Sequence, residues 1–219
     1  MWCIGKLTRE YRQRMYRILD LYNKPLDPKM PVVCMDEKSK QLIDDVRQPL
    51  AMKAKRAKRI DSEYRRNGTR NIFVAVEPKA GVHVAHVTKT RTKKDFAHFI
   101  RHLITEVYKD IEKICLVLDN LNTHFAKSFF ETFPQKEASV LLDRIEFYYT
   151  PKHGSWLNMA EIEIGILDEE CIGCRIGNET KLTNTVKLWV EQRNKNKKKI
   201  NWQFTKRNAY NKLSGHYVS

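Results

Sequence analysis

The sequence predicts an α/β fold, a mixed sheet with helices on both faces. Three observations carry this. Short runs rich in Val, Ile and Phe come early, at residues 31–36, 71–77 and 82–89. An uninterrupted apolar run at 114–118 then follows a long amphipathic stretch. From there helical and strand patterns alternate, as they do when helices cover a sheet.

Each element has a local reason. Tyr11, Met15, Ile18, Leu19 and Tyr22 recur at helical spacing over 8–22, and Asn23-Lys24-Pro25 ends that helix. Residues 31–36 form a strand of buried type. Residues 51–70 lack apolar periodicity and read as a loop or a long hairpin arm, with Asn67-Gly68 as a turn. The runs 71–77 and 82–89, joined by Lys79-Ala80-Gly81, form a hairpin. Residues 92–108 form an amphipathic helix, with Phe96, Phe99, Ile100, Leu103, Ile104 and Val107 on one side and Asp95 in its first turn. The 114–118 run suits a strand buried on both faces. A short helix over 127–133 stops before Pro134, and 144–149 is a strand. Helices are expected over 155–171 and 180–192. The chain then divides into a helical lead-in, 1–30, an α/β unit, 31–178, and a basic helical extension, 179–219, packed on it.

Composition narrows the function. At 219 residues and 42% hydrophobic content the chain can bury one good core. It has no apolar run long enough to span a membrane, and its first residues lack the apolar stretch of a secretory signal. Five scattered cysteines suit a reducing compartment. Net charge is +15, and it is clustered: residues 51–70 hold eight basic and two acidic side chains, residues 191–212 eight basic and one acidic. Such clusters suit nucleic acid. Lys53, Lys55, Arg56, Lys58 and Arg59 in the first, and Lys197, Lys198 and Lys199 in the second, are the expected phosphate contacts.

Chemistry is expected at three acidic positions. Asp36 and Asp119 each end an apolar strand, at the edge where open α/β sheets expose a crevice. On neighbouring strands they would sit a few ångströms apart, an arrangement that hard divalent cations favour. A single strand-end aspartate more often shapes a turn, so the pair matters more than either residue. A glutamate on the following helix completes the set. Glu161 and Glu163 point to roughly opposite helix faces, and helix geometry does not choose between them. Cys171 and Cys174 have no second ligand pair and read as ordinary helix-end residues. His98 and His102 lack an acidic partner between them, and no glycine-rich phosphate loop is present.

Three segments carry a resemblance. Val-Val-Cys-Met-Asp-Glu-Lys at 32–38, Val-Leu-Asp-Asn-Leu-Asn-Thr-His at 117–124 and Tyr-Thr-Pro-Lys-His-Gly-Ser-Trp-Leu-Asn-Met-Ala-Glu at 149–161 together resemble the catalytic domain of a bacterial insertion-sequence transposase related to the mariner superfamily. The resemblance covers nearly the whole chain. It implies a ribonuclease H-like fold and metal-dependent DNA strand cleavage and strand transfer. It implies Asp36, Asp119 and Glu161 as the triad holding two Mg2+ or Mn2+ ions, and it is what decides for Glu161 over Glu163. Asn120, His124 and Asn158 become supporting groups around the triad. The implied partners are DNA, both the element's terminal inverted repeats and a target, and a second copy of the chain on that DNA. The implied location is the bacterial cytoplasm, with the nucleoid. Two departures stand out. Such transposases usually begin with helix-turn-helix modules, for which residues 1–30 leave no room, so a fragment or a second reading frame is expected. The 41 residues between Asp119 and Glu161 exceed the usual spacing, with the extra length expected between Lys127 and Arg144. The rival functions are a nuclease on the same fold and a non-enzymatic DNA-binding remnant or regulator of a full-length transposase.

Overall fold

A computed structural model describes residues 6–57, 59–119 and 124–218. Five strands form one sheet in the order β3-β2-β1-β4-β5. They are β1, Val32–Asp45; β2, Tyr64–Glu77; β3, Val82–Thr88; β4, Ile114–Leu118; and β5, Ile145–Tyr149. β2 runs antiparallel to its neighbours β1 and β3, whereas β4 and β5 run parallel to β1. The mixed sheet thus arises from two hairpin connections followed by two crossovers, and each crossover carries helices.

Strand alternation sorts the core into two faces. Val33, Met35, Phe73, Ala75, Leu116 and Leu118 meet α2 (Lys93–His102), α3 (Lys127–Phe130) and α4 (Gln135–Asp143). Cys34, Val76, Cys115 and Val117 face α1 (Arg9–Asn23) and α7 (Lys206–Leu213). Leu42, Ile72 and Val74 face α5 (Ala160–Leu167) and α6 (Glu179–Lys195). Helices therefore cover both faces, as expected. Thr8 caps α1 through Tyr11 N–H, and Thr92 with Asp95 closes a reciprocal capping box on α2. The last turn of the 92–108 helix widens to a π-helix over Leu103–Val107.

Four expectations are corrected. β1 and β2 run far beyond 31–36 and 71–77, forming a two-stranded ribbon whose polar outer part gives no apolar signal. Asn67-Gly68 is not a turn: the register slips between Gln41 and Ile43, and Gly68 takes φ +92° in a bulge. The arm folds back on itself through the bridges Leu50–Arg59 and Lys53–Arg56, with left-handed Lys55 at its tip. The stretch between Lys127 and Arg144 holds a second helix, α4, which begins after Pro134. Finally, the helix expected from 155 starts at Ala160, after a 3-10 turn at Ser155–Leu157.

The chain after α6 is tied down. Ile200 N–H donates to Pro78 O at 2.9 Å. Gly81, at φ +75°, lies so close to the Lys197 backbone that a Cβ there would approach it to 2.7 Å. Among the described residues no helix is long and apolar enough to cross a membrane.

Candidate active site

The parallel register of β1 and β4 places the two aspartates. Cys34 is level with Val117 at the end of the paired stretch, and Asp36 and Asp119 each follow two residues later, near enough for the charge of Asp119 to act on Asp36. Asp36 leaves the sheet on the face opposite Met35, whereas Asp119, just beyond the end of β4, reaches His124.

Asp36 is largely buried. Burial, with the charges of Asp119, Glu37 and Glu161, pushes its pKa up to about 7, although its Oδ1 accepts a 2.7 Å hydrogen bond from Glu37 N–H. Three other carboxyl groups thus act electrostatically on one aspartate, the repulsion that a bound cation relieves. Asn158 braces this end of β1. Its Nδ2 donates to Met35 O at 2.8 Å and lies 3.5 Å from Asp36 Oδ2, while its Oδ1 accepts from Ala160 N–H at 3.2 Å. Asn158 is therefore not a helical residue one turn before Glu161. It has extended backbone at the junction of the 3-10 turn and α5, and it joins the start of that helix to β1.

His124 holds the other aspartate. Its Nδ1 lies 2.7 Å from Asp119 Oδ1 and its Nε2 2.7 Å from Glu37 Oε1. Burial alone would lower its pKa, but the hydrogen bonds and charges of Asp119 and Glu37 raise it to about 9. Phe96 packs its ring against the imidazole with centroids 4.8 Å apart. Glu37 leaves β1 on the face opposite Asp36, where its side chain is almost fully buried. A carboxyl at an inward strand position needs a partner, and that rule is the signal the sequence offered for Glu37.

Glu161 and Glu163 separate as their spacing requires. Glu161 is exposed in the first turn of α5. Glu163 is fully buried, with both oxygens on Arg193 Nη2 at 2.5 and 2.6 Å and His83 Nε2 at 3.2 Å. Burial would raise its pKa, but His83 and Arg193 outweigh this and hold the carboxyl below its usual value. Neither Arg193 nor His83 was legible as a partner, because Arg193 is one of many cations in a basic segment and His83 sits in an ordinary strand.

The oxygen-only donors Asp36, Asp119 and Glu161 suit a hard divalent cation. As placed, no three His, Cys, Asp or Glu side chains among the described residues meet closely enough to hold one. Asn120 and Lys58 lie outside the described residues. Lys53, Lys55, Arg56 and Arg59 are exposed on the hairpin arm, and Lys197, Lys198 and Lys199 are exposed beyond α6.

A profile of the DDE superfamily endonucleases matches residues 31–183, which contain all three acidic positions. The chain belongs to that family. Among curated proteins none matches the sequence. Solved structures share its fold. One is the Mos1 transposase paired-end complex with the left transposon end, at TM-score 0.57 and 12% identity over 87% of this chain and 57% of that one. A second is the Mos1 mariner paired-end complex with Mn, at 0.55 and 14% over 90% and 61%. A third is the Mos1 strand transfer complex, at 0.53 and 12% over 92% and 67%. The chain thus spans about three-fifths of the length of the first two. At this identity the likeness is one of fold, and this DDE endonuclease fold is ribonuclease H-like, as expected from sequence.

Proposed function

We propose that the chain is the catalytic core of a transposase, which cuts DNA at insertion-sequence ends and joins the freed ends to a target. The observation that carries this is that Asp36 and Asp119 each lie two residues beyond the paired positions Cys34 and Val117 of adjacent parallel strands, with Asp119 and Glu161 both acting on the Asp36 carboxyl. Asp36, Asp119 and Glu161 would hold two divalent cations, Mg2+ or Mn2+. Bound there, such ions supply an activated water or 3′-hydroxyl and stabilise the leaving oxygen. The protein's own part is positional. Asn158 fixes the end of β1, and His124 fixes Asp119 through Glu37. The hairpin arm and the lysines after α6 would hold phosphates without reading sequence. Asn120 is assigned a supporting place beside Asp119. The mariner neighbours, two of them solved with Mn and Mg, support DNA and divalent ions as partners. A second copy of the chain on the same DNA belongs to this reading. The setting would be the bacterial cytoplasm, on nucleoid DNA. Residues 1–30 and 179–219 would flank the catalytic unit as a lead-in and a basic extension.

The test is a plasmid carrying the DNA that flanks the reading frame, incubated with the full chain and Mn2+. Nicked and joined products are expected, and chelation should abolish them. Activity that survives chelation would overturn the reading. Hydrolysis without joining would instead favour a nuclease on the same fold, and binding without either would favour a non-enzymatic regulator.

A further inference from the structure

Large apolar side chains stand open in the segments that carry the residues of the acidic centre. Trp156 is 38% exposed, Phe125 39% and Ile162 42%. Each is close in sequence to a residue of the site. Phe125 follows His124, whose ring contacts Asp119. Trp156 lies two residues before Asn158, which braces Asp36. Ile162 follows Glu161. Phosphates have no use for an aromatic surface, whereas every nucleobase presents a π-face once it is unstacked.

Trp156 is built as a platform. Its indole N–H donates to Tyr11 Oη at 3.3 Å. Its ring is near-parallel to Trp202, 17° between planes with centroids 6.5 Å apart, and edge-on to Phe204 at 5.3 Å. Tyr22 supports the turn from below, donating to Leu157 O at 2.7 Å. The turn before it is fixed too: Gly154 N–H donates to Pro151 O, and a Cβ on Gly154 would strike the Pro151 ring at 2.5 Å. Phe125 is backed by Tyr149, with centroids 5.6 Å apart.

We propose that Trp156, with Phe125 as a second position, stacks unpaired bases of the bound DNA, so that the duplex is held open where it meets the acidic centre. This rests on the proposed transposase function for its ligand, since an acidic centre acting on phosphodiesters brings the strand there. A basic group lies by the same aromatic wall: Lys212 Nζ sits 5.9 Å from the centroid of the Phe204 ring. Charge and stacking surface thus suit a single strand emerging from a duplex.

The experiment measures binding of the full chain in Ca2+ to a fully paired duplex and to a forked duplex. The fork carries 2-aminopurine as the first unpaired base. Wild type should prefer the fork and quench the 2-aminopurine. Trp156→Ala should lose about tenfold on the fork, in the range for one stacked base, keep duplex affinity within about twofold, and lose the quenching. Trp156→Phe, which keeps a ring in the packing, should retain most of both, and Phe125→Ala should show a smaller loss. Equal loss on fork and duplex, or no loss on either, overturns the proposal. No cleavage is measured, so a failure of the metal-dependent chemistry would leave this result standing on its own.

Discussion

Asp36 carries two opposed demands, since the carboxylate suited to a cation is the one whose ionisation the metal-free fold delays to about neutrality. Asp36→Asn, Asp119→Asn and Glu161→Gln should each abolish metal-dependent cleavage. Asp36→Asn should also raise the metal-free melting temperature at pH 8, by an amount equivalent to about 1 kcal/mol or more, because it removes a buried charge among like charges. A lowered melting temperature would show that Asp36 is stabilising as it stands. The pH dependence has a definite sign. Asp36 rises from 3.8 to about 7 on folding, so its contribution falls as pH climbs between those values. His124 rises from 6.5 to about 9, so its contribution is present below 6.5 and lost through about 9. The metal-free chain should therefore lose stability steadily from pH 5 to 9 in thermal melts. Divalent ion added at pH 6 should displace roughly one proton per chain, detectable by calorimetry in buffers of different ionisation enthalpy. Metal binding without proton release would contradict the raised Asp36 value.

At the scale of elements, α5 is set by what its inner face binds. The buried Glu163–Arg193 pair ties α5 to α6, and His83 adds β3. Arg193→Met should cost about 3–5 kcal/mol, since it strands a buried carboxylate. Glu163→Gln should lower stability yet leave cleavage below its melting point, whereas Glu161→Gln should do the reverse. Equal loss of activity in the two with intact folding would place the wrong glutamate in the site. The sequence showed the inner part of β1, which carries Asp36, and β4, which precedes Asp119, because both are short apolar runs. It hid the outer halves of β1 and β2, whose polar side chains are ordered by backbone pairing and not by a core. It hid α4 for a related reason: Ala138 and Leu141 are its only buried residues, too few to set a period. Asn158 was found as a supporting group but given a helical position, because the break after Ser155–Leu157 depends on its own bonds to β1.

For the molecule as a whole, the basic segment 191–212 divides its charges between two ends. Arg193 is committed to the interior, while Lys197, Lys198 and Lys199 are exposed on backbone pinned against the β2–β3 turn. Replacing those three lysines with alanine should weaken binding to all DNA sequences alike and reduce the slope of log affinity against log salt by about 2–3, without lowering the melting temperature. A loss confined to one sequence would mean base readout. By itself the chain should bind the terminal inverted repeat little better than random DNA in competition at physiological salt. A preference of roughly a thousandfold would place end recognition in these residues. The run from Asn158 to Gly177 has one more effect. Beyond Cys34, β1 has no neighbouring strand on its β4 side, and this run lies along that margin: Asn158 on Met35 O, Lys40 Nζ on Cys174 O, and Ile43 N–H on Ile176 O. Bare strand margins recruit further strands. A chain shortened to end before Cys174 should therefore associate through β1 and scatter light at concentrations where the full chain stays dispersed, so the segment that presents the glutamate also keeps the protein from adhering to itself.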